Sequence, residues 1–251
     1  MAKAIAQREG SADEQMLRDE LAVQRRQASA RERQLERYAA DLRDTFKAER
    51  ARAEELQASY VATVRALVDA VEARDAYTGA HAGRVAAYGL ELARRVEPDL
   101  ACDPQTEFGF LLHDVGKIAV PDEVLHKADD LGPEEQALMR SHPQVGYEIV
   151  RAVGFLAAAA QVVRHHHERW DGEGYPDGLS GQDIPLAARI FSVVDALDAM
   201  TTERPYSPAC SIAQARSEIA AKAGSQFDPA VVAELAELPD HALERIKAER
   251  P

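Results

Sequence analysis

The feature that most constrains the fold is a long N-terminal stretch without helix-breaking residues: no Gly and no Pro occurs from Ser11 to Thr78. Because these two residue types weaken or end helices, the stretch predicts one continuous helix. Apolar residues recur along it at steps of mostly three, four or seven, as in the seam of a coiled coil. They are Leu17, Leu21, Ala28, Leu35, Leu42, Phe46, Leu56, Tyr60, Val64, Leu67 and Val71.

Two interpretations of this helix remain open, because Gln24 and Arg31 interrupt the apolar seam. The helix is either a single solvated helix held by i,i+4 ion pairs or one strand of a parallel coiled coil. We favour a homodimeric coiled coil, since an isolated helix of this length buries too little apolar surface to be stable alone.

The remainder of the chain has the pattern of a helical bundle. Helices are predicted at about 80–96, 106–113, 133–151, 155–167, 185–202, 208–223 and 228–238. Prolines mark their starts and the loops between them, and no stretch has the alternation of a β-strand. We therefore expect an all-α protein, with residues 1–60 as a coiled-coil signalling and dimerisation segment and residues 61–251 as a compact helical domain.

Composition and charge exclude several classes of protein. The 251 residues are 46% hydrophobic, which is too apolar for a disordered chain. The net charge of −13 argues against binding to long nucleic acids, and no apolar run of about 18 residues predicts a membrane span. Cys102 and Cys210 are far apart and in unrelated contexts, so they suggest neither a disulfide framework nor a thiolate zinc site, as expected in the cytoplasm.

The charge and the histidines are concentrated in the same region. Residues 1–60 contain 12 basic and 12 acidic residues, so the whole acidic excess lies in residues 61–251. Seven of the eight histidines fall between His81 and His167, and the pair His113-Asp114 ends an apolar run. Burying such an ionisable pair is costly unless a cation compensates, and mixed imidazole and carboxylate ligands suit Fe, Mn, Zn, Ni or Co.

Two further segments carry candidate polar groups. The run His165-His166-His167 precedes the stretch Asp171-Gly-Glu-Gly-Tyr-Pro176, which predicts a tight loop over the histidines. In the later helix, Asp195, Asp198 and Thr202 share one polar face at i, i+3 and i+7.

Together these motifs resemble the HD-GYP domain, the phosphodiesterase branch of the HD superfamily. The matching stretches are Tyr77-Thr-Gly-Ala-His81, His113-Asp-Val-Gly-Lys117, Ser141-His-Pro143, His166-His-Glu-Arg-Trp-Asp-Gly-Glu-Gly-Tyr-Pro176, Gly178 through Pro185, Asp195 through Tyr206 and Gln226-Phe-Asp-Pro229. The resemblance covers roughly residues 61–240 and meets every motif in order. It implies an all-helical metal-dependent enzyme that hydrolyses the bacterial second messenger cyclic di-GMP to linear pGpG or to GMP.

The resemblance also implies roles for individual residues. Asp114 would bridge the metals, Lys117 would hold a substrate phosphate, and both would act in catalysis. Arg204 would orient the nucleotide, and Gly174, Tyr175 and Pro176 would form the loop beside the substrate. The implied metal ligands are His81, His113, Asp114, His142, His166, His167 and Asp195.

One departure from the family bears on the number of metals. Members with three metals carry a carboxylate four residues before the first histidine, where this chain has Tyr77, a poor ligand when neutral. We therefore predict two divalent cations, with Fe or Mn ahead of Zn, Ni and Co. Two such ions about 3.5–4 Å apart would bridge a water and convert it to the attacking hydroxide.

A second functional class remains open beside the enzyme. A weakly active or inactive HD-GYP module would sense a cyclic dinucleotide, or dock signalling partners such as diguanylate cyclases through the Gly-Tyr-Pro loop. The complete set of motif residues favours the enzyme, and turnover of cyclic di-GMP distinguishes the two.

Overall fold

The computed structural model describes residues 2–72, 81–127, 129–203 and 208–249. Twelve α-helices and three short 3₁₀ turns occur within these residues, with no β-strand among them. The helices are α1 (Ala2–Glu72), α2 (His81–Val96), α3 (Pro98–Cys102), α4 (Pro104–Leu111), α5 (Asp122–Leu125), α6 (Pro133–Met139), α7 (His142–Arg151), α8 (Ala159–His165), α9 (Leu186–Thr201), α10 (Ile212–Ala221), α11 (Pro229–Ala236) and α12 (Asp240–Glu249). The predicted all-α fold class is confirmed.

The long N-terminal helix is present as α1, and the predicted residues 73–78 lie outside the described part of the chain. Internal contacts divide the chain into two units, residues 1–60 and 61–251. In the first unit the seam residues Leu17, Leu35 and Phe46 are 59%, 67% and 68% exposed. Within the described residues no helix is both long and apolar enough to cross a membrane.

The second unit is built around α9, which is apolar on most of its surface. Phe191, Val193, Val194 and Leu197 of this helix are at most 1% exposed. Helix α9 packs against α2, α8, α10 and α11, and α4 fills the space between α2 and α8. One core therefore anchors the helices whose ends carry the predicted site residues.

The prediction of one helix over residues 133–151 is wrong, because α6 ends at Met139 and α7 begins at His142. Pro143 has no backbone N–H to donate to the carbonyl four residues earlier, and its ring would clash with that carbonyl, so a single helix cannot continue. Proline is instead accommodated in the first turn of α7. Because Pro143 has no N–H, the carbonyl oxygen of Met139 receives no helical hydrogen bond from it. This oxygen can therefore accept a hydrogen bond from another group.

Candidate metal centre

Three of the predicted ligands, His113, His142 and His166, are fixed in the same way. His113 and His166 lie just beyond the ends of α4 and α8, and His142 begins α7. Each places its Nδ1 atom near the carbonyl oxygen three residues earlier. The contacts are His113 to Phe110 at 2.8 Å, His142 to Met139 at 2.7 Å and His166 to Val163 at 2.8 Å. Carbonyls at a helix C-terminus lack helical donors, so histidine rings satisfy groups that the helices leave open.

These contacts determine which ring nitrogen has a lone pair that could bind a metal. A carbonyl oxygen can only accept, so the Nδ1 atom of each ring carries the proton and donates it. In the neutral ring the Nε2 atom is then an acceptor. The helix ends therefore present three imidazole lone pairs toward the same point.

Asp114 lies at that point. Its Oδ1 atom is 3.2 Å from His142 Nε2 and 3.9 Å from His166 Nε2, and its Oδ2 atom is 3.1 Å from His113 Nε2. Lys117 Nζ is 2.8 Å from the same Oδ2 atom. Asp114, His142, His166 and His167 each offer one ligand atom, and these atoms all lie within 4.8 Å of one another.

Acceptors face acceptors in this cluster. The Nε2 atoms of His142 and His166 are only 3.2 Å apart, although both rings use their proton at Nδ1. With the carboxylate of Asp114 beside them, the lone pairs repel one another unless a positive charge lies between them. A divalent cation supplies that charge, so the donor set fits a metal.

A second arm of the site is formed by His81 at the start of α2. Its Nδ1 atom is 2.7 Å from Asp198 Oδ2, and its Nε2 atom is 3.4 Å from Asp195 Oδ1. Asp198 is 1% exposed and also accepts from Arg84, at 2.8 Å from Nε and 3.1 Å from Nη2. The ring of His81 lies edge-on to His113 with centroids 5.5 Å apart, which joins this arm to the cluster around Asp114.

The Gly-Tyr-Pro loop covers the remaining side. The ring of Tyr175 stacks on His167 with centroids 4.7 Å apart and planes 25° apart. Glu168 is 4% exposed, and its two carboxylate oxygens accept from the backbone N–H groups of Asp177 (2.8 Å) and Leu179 (3.1 Å). A Cβ atom at Gly174 would collide with the backbone of residues 168 and 169, so the loop can approach the histidines this closely only with glycine there.

A second glycine brings two helix ends together. Gly116 lies in the 3₁₀ turn Val115–Ala119, between Asp114 and Lys117. A Cβ atom at this position would collide with the carbonyl oxygen of His142 and the backbone of α7. The close approach places Asp114 against His142.

The protonation states also suit metal binding. Burial would raise the pKa of Asp114, but the neighbouring His113 ring and the ammonium group of Lys117 hold it well below its usual range. Burial lowers the pKa of His167 to about 4, with a further contribution from His142, and it lowers the pKa of His166 well below its usual value. Near neutral pH these imidazoles are neutral and the carboxylate is ionised, as ligands must be.

His81 differs in the absence of a cation. Burial lowers its pKa, but hydrogen bonds to Asp195 and Asp198 outweigh this effect and raise the pKa to about 9. The proton on Nε2 therefore occupies the position where a metal would bind.

The structure brings seven predicted ligands into one connected group, with Lys117 and Tyr175 beside it. Arg204 and Tyr77 lie outside the described residues. Sequence analysis placed Asp198 on the polar face that carries Asp195, and it missed Arg84 and Glu168. Arg84 could have been found from its position on α2, because it lies three residues after His81 and therefore on the same face of the helix.

Comparison with known families agrees with this geometry. A family model described as HD domain matches residues 65–231. The chain belongs to the HD-domain family. HD-domain phosphohydrolases bind divalent metals, and the cluster around Asp114 is where this HD domain has the donors for them.

Related proteins carry phosphodiesterase names. The 3'3'-cGAMP-specific phosphodiesterase 2 of Vibrio cholerae is 39% identical over 173 residues, which are 66% of this chain and 32% of that protein. A cyclic di-GMP phosphodiesterase response regulator of Xanthomonas campestris is 39% identical over 176 residues, 68% of this chain and 46% of that protein. The HD domain thus matches less than half the length of these relatives.

Solved structures support the fold. A cyclic GMP-AMP-specific phosphodiesterase of V. cholerae has a TM-score of 0.50 at 22% identity, covering 72% of this chain and 54% of that one. An HD-GYP-type protein of Bdellovibrio bacteriovorus has a TM-score of 0.50 at 23% identity, covering 62% of this chain and 50% of that one.

Proposed function

We propose that this HD domain is a metal-dependent phosphodiesterase that hydrolyses cyclic di-GMP to linear pGpG or GMP. The observation that carries the proposal is the convergence of imidazole Nε2 atoms and carboxylate oxygens of Asp114 on one point. The names of relatives about 39% identical to this chain support a cyclic dinucleotide as the substrate.

The proposed metal ligands are the seven residues predicted from the motifs. Asp114 would hold divalent cations together with the histidines on both sides of it, because its two oxygens face different rings, Oδ1 facing His142 and Oδ2 facing His113. We propose Fe or Mn as the metals, with Zn, Ni and Co as further candidates, since these ions accept mixed imidazole and carboxylate ligands. The full ligand set is His81, His113, Asp114, His142, His166, His167 and Asp195.

The chain supplies the groups that bind and orient the substrate. Bound divalent cations would supply a Lewis acid and an activated water for attack on phosphorus. Lys117, now 2.8 Å from Asp114, is within reach of a phosphoryl oxygen placed over the site and would stabilise its negative charge. A small pocket of about 20 Å³ beside the centre, enough for about one water molecule, is lined by His81, Asp114 and Lys117 among other residues.

The remaining substrate contacts are proposed from the motifs. The burial of Tyr175 raises the pKa of its hydroxyl to about 12, so the group stays protonated and can donate to a phosphate oxygen. Gly174 and Pro176 hold this side chain at the edge of the site. Arg204 completes the proposed set as a residue that orients the nucleotide.

We propose that residues 1–60 pair with a second copy of the chain and pass a signal to the HD domain. The exposed seam residues of α1, such as Leu35 at 67% and Phe46 at 68%, support this proposal, since a coiled coil would bury them. Substitution of Leu35 and Leu42 by Glu should convert a dimer to a monomer in light scattering. An unchanged mass, or a monomeric wild type, would contradict the proposed pairing.

The decisive experiment measures turnover and metal content on the same sample. Protein prepared anaerobically with Fe or Mn is incubated with cyclic di-GMP and with 3'3'-cGAMP, and products are separated by chromatography. We expect hydrolysis of cyclic di-GMP and about two metals per chain. Asp114→Ala should lose both, whereas Asp99→Ala, at an exposed carboxylate on α3, should lose neither.

Three outcomes would change this assignment. Tight binding of cyclic di-GMP without product would favour the sensing or docking module. Preferential hydrolysis of 3'3'-cGAMP would keep the enzyme class and change the substrate. Full retention of metal and activity in Asp114→Ala would refute the proposed centre.

A further inference from the structure

Arg140 lies at the outer edge of the site and is exposed. Its guanidinium carbon is 5.2 Å from the centroid of the Tyr175 ring. The other partner of that ring is His167, stacked with centroids 4.7 Å apart. A cation, a phenol and a proposed metal ligand thus form a continuous stack that leads from solvent to the centre.

The environment of Arg140 differs from that of comparable arginines. Three other arginines lie over aromatic rings, and each is also paired with a carboxylate. Arg151 pairs with Glu148, Arg164 with Asp177 and Arg189 with Asp228. In the described part of the chain no carboxylate forms an ion pair with Arg140, although the chain carries a net charge of −13.

This geometry points to an anionic ligand. The ring of Tyr175 lies between Arg140 and the proposed ligand His167, whereas Lys117 contacts Asp114 directly, so the two cations are placed to hold different phosphates. A cyclic dinucleotide carries a second phosphate. A guanidinium held flat over an aromatic ring keeps its outer N–H groups available for two parallel hydrogen bonds to phosphate oxygens.

We propose that Arg140 binds the phosphate of the cyclic dinucleotide that is not being cleaved, with Tyr175 positioning its guanidinium. The proposal rests on the proposed function and adds a residue that none of the sequence motifs includes. The contact is the same in the ground state and in the transition state, so it contributes to substrate binding and leaves the chemical step unchanged.

The test compares two substrates that differ in their number of phosphates. Cyclic di-GMP has two, and bis(p-nitrophenyl) phosphate has one. For Arg140→Met we expect KM for cyclic di-GMP to rise at least about tenfold with kcat unchanged, because a lost charged hydrogen bond of ordinary strength is worth that factor. Kinetic constants for bis(p-nitrophenyl) phosphate should stay within about twofold of wild type.

Two further variants sharpen the result. Arg140→Lys keeps the charge but cannot form two parallel hydrogen bonds, so its KM should lie between those of wild type and Arg140→Met. Arg151→Met removes an exposed arginine over Tyr147, away from the site, and should leave both substrates unaffected. Melting temperature and metal content should be unchanged in all three variants.

The outcomes separate this inference from the proposed function. An unchanged KM for cyclic di-GMP in Arg140→Met, or equal losses with both substrates, would overturn the role of Arg140. If the wild type cleaves only bis(p-nitrophenyl) phosphate, the proposed function fails. Calorimetric binding of cyclic di-GMP then tests Arg140 directly: a Kd about tenfold weaker in the variant supports it, and equal or undetectable binding in both proteins overturns it.

Discussion

Replacement of Asp198 by Asn should destabilise the protein far more than its small chemical change suggests. Asp198 is 1% exposed and accepts from Arg84, which is 5% exposed, and from His81. Asparagine keeps the shape but removes the negative charge that accepts hydrogen bonds from Nε and Nη2 of the buried Arg84 guanidinium. Removing one partner of a buried ion pair costs about 3–5 kcal/mol, against a total stability of about 5–15 kcal/mol.

The assay is thermal unfolding of metal-free protein together with metal titration. For a domain of about 150–250 residues, 1 kcal/mol shifts Tm by about 2–4 °C, so Asp198→Asn should lower Tm by about 6–20 °C. The amide also holds the ring of His81 less firmly than a carboxylate does, so metal affinity should fall about 10–100-fold.

Two control variants isolate the cause. Glu234→Gln breaks the Arg95–Glu234 pair, which also joins α2 to another helix but is 40% and 39% exposed, and it should change stability by at most about 1 kcal/mol. The double variant Arg84→Met with Asp198→Asn removes both charges and should recover part of the lost stability. A Tm of Asp198→Asn within about 2 °C of wild type would refute the reasoning from the buried charge.

Three other predictions follow from the site. Gly116→Ala should abolish metal loading, because its Cβ would displace the backbone of His142. Gly154→Ala is the control, since nothing lies within 4 Å of a Cβ there. Equal metal contents in the two variants would contradict this prediction. Glu168→Gln should lower stability by about 1–3 kcal/mol and raise KM, since one of two buried acceptors for loop N–H groups is lost; unchanged melting and kinetics would argue against it. In urea unfolding, the metal-free protein should lose up to about 3 kcal/mol of stability between pH 6.5 and 9, because His81, with its pKa raised to about 9, binds a proton more tightly in the folded than in the unfolded state. His81→Gln should flatten this dependence of stability on pH. A steep dependence in that variant would refute the assignment of the effect to His81.

The sequence was sufficient for the parts of the fold that depend on local pattern. The absence of Gly and Pro predicted α1, and apolar periodicity placed α9 to within one residue at each end. The break between α6 and α7 was harder to predict, because proline is compatible with both a helix start and a loop. The short helices α3 and α5 were not predicted, since their few residues give too little periodicity, and the ten-residue helix α12 was missed as well.

The site was predictable where motif residues carry its chemistry, and less so where tertiary contacts do. The predicted ligand residues were identified from the motifs, and the structure places their side chains near one another. The partner of Asp198 could not be read from the sequence, because Arg84 is 114 residues away and meets it only when α2 packs on α9. The role of Glu168 likewise depends on the folded position of the loop whose N–H groups it accepts, and no local sequence pattern predicts that position.

The helix-end histidines also imply that folding and metal binding are coupled. The carbonyls of Phe110, Met139 and Val163 orient three rings before any cation arrives, so the cost of ordering the ligands is met during folding. In the metal-free protein this order brings acceptors such as His142 and His166 Nε2 within 3.2 Å of each other. A bound cation removes that repulsion, and because it binds the folded state only, it adds about 2.7 kcal/mol of stability at a hundred times its Kd. A metal bound at this centre would therefore stabilise the folded HD domain, and a chelator should lower Tm even where it does not unfold the protein.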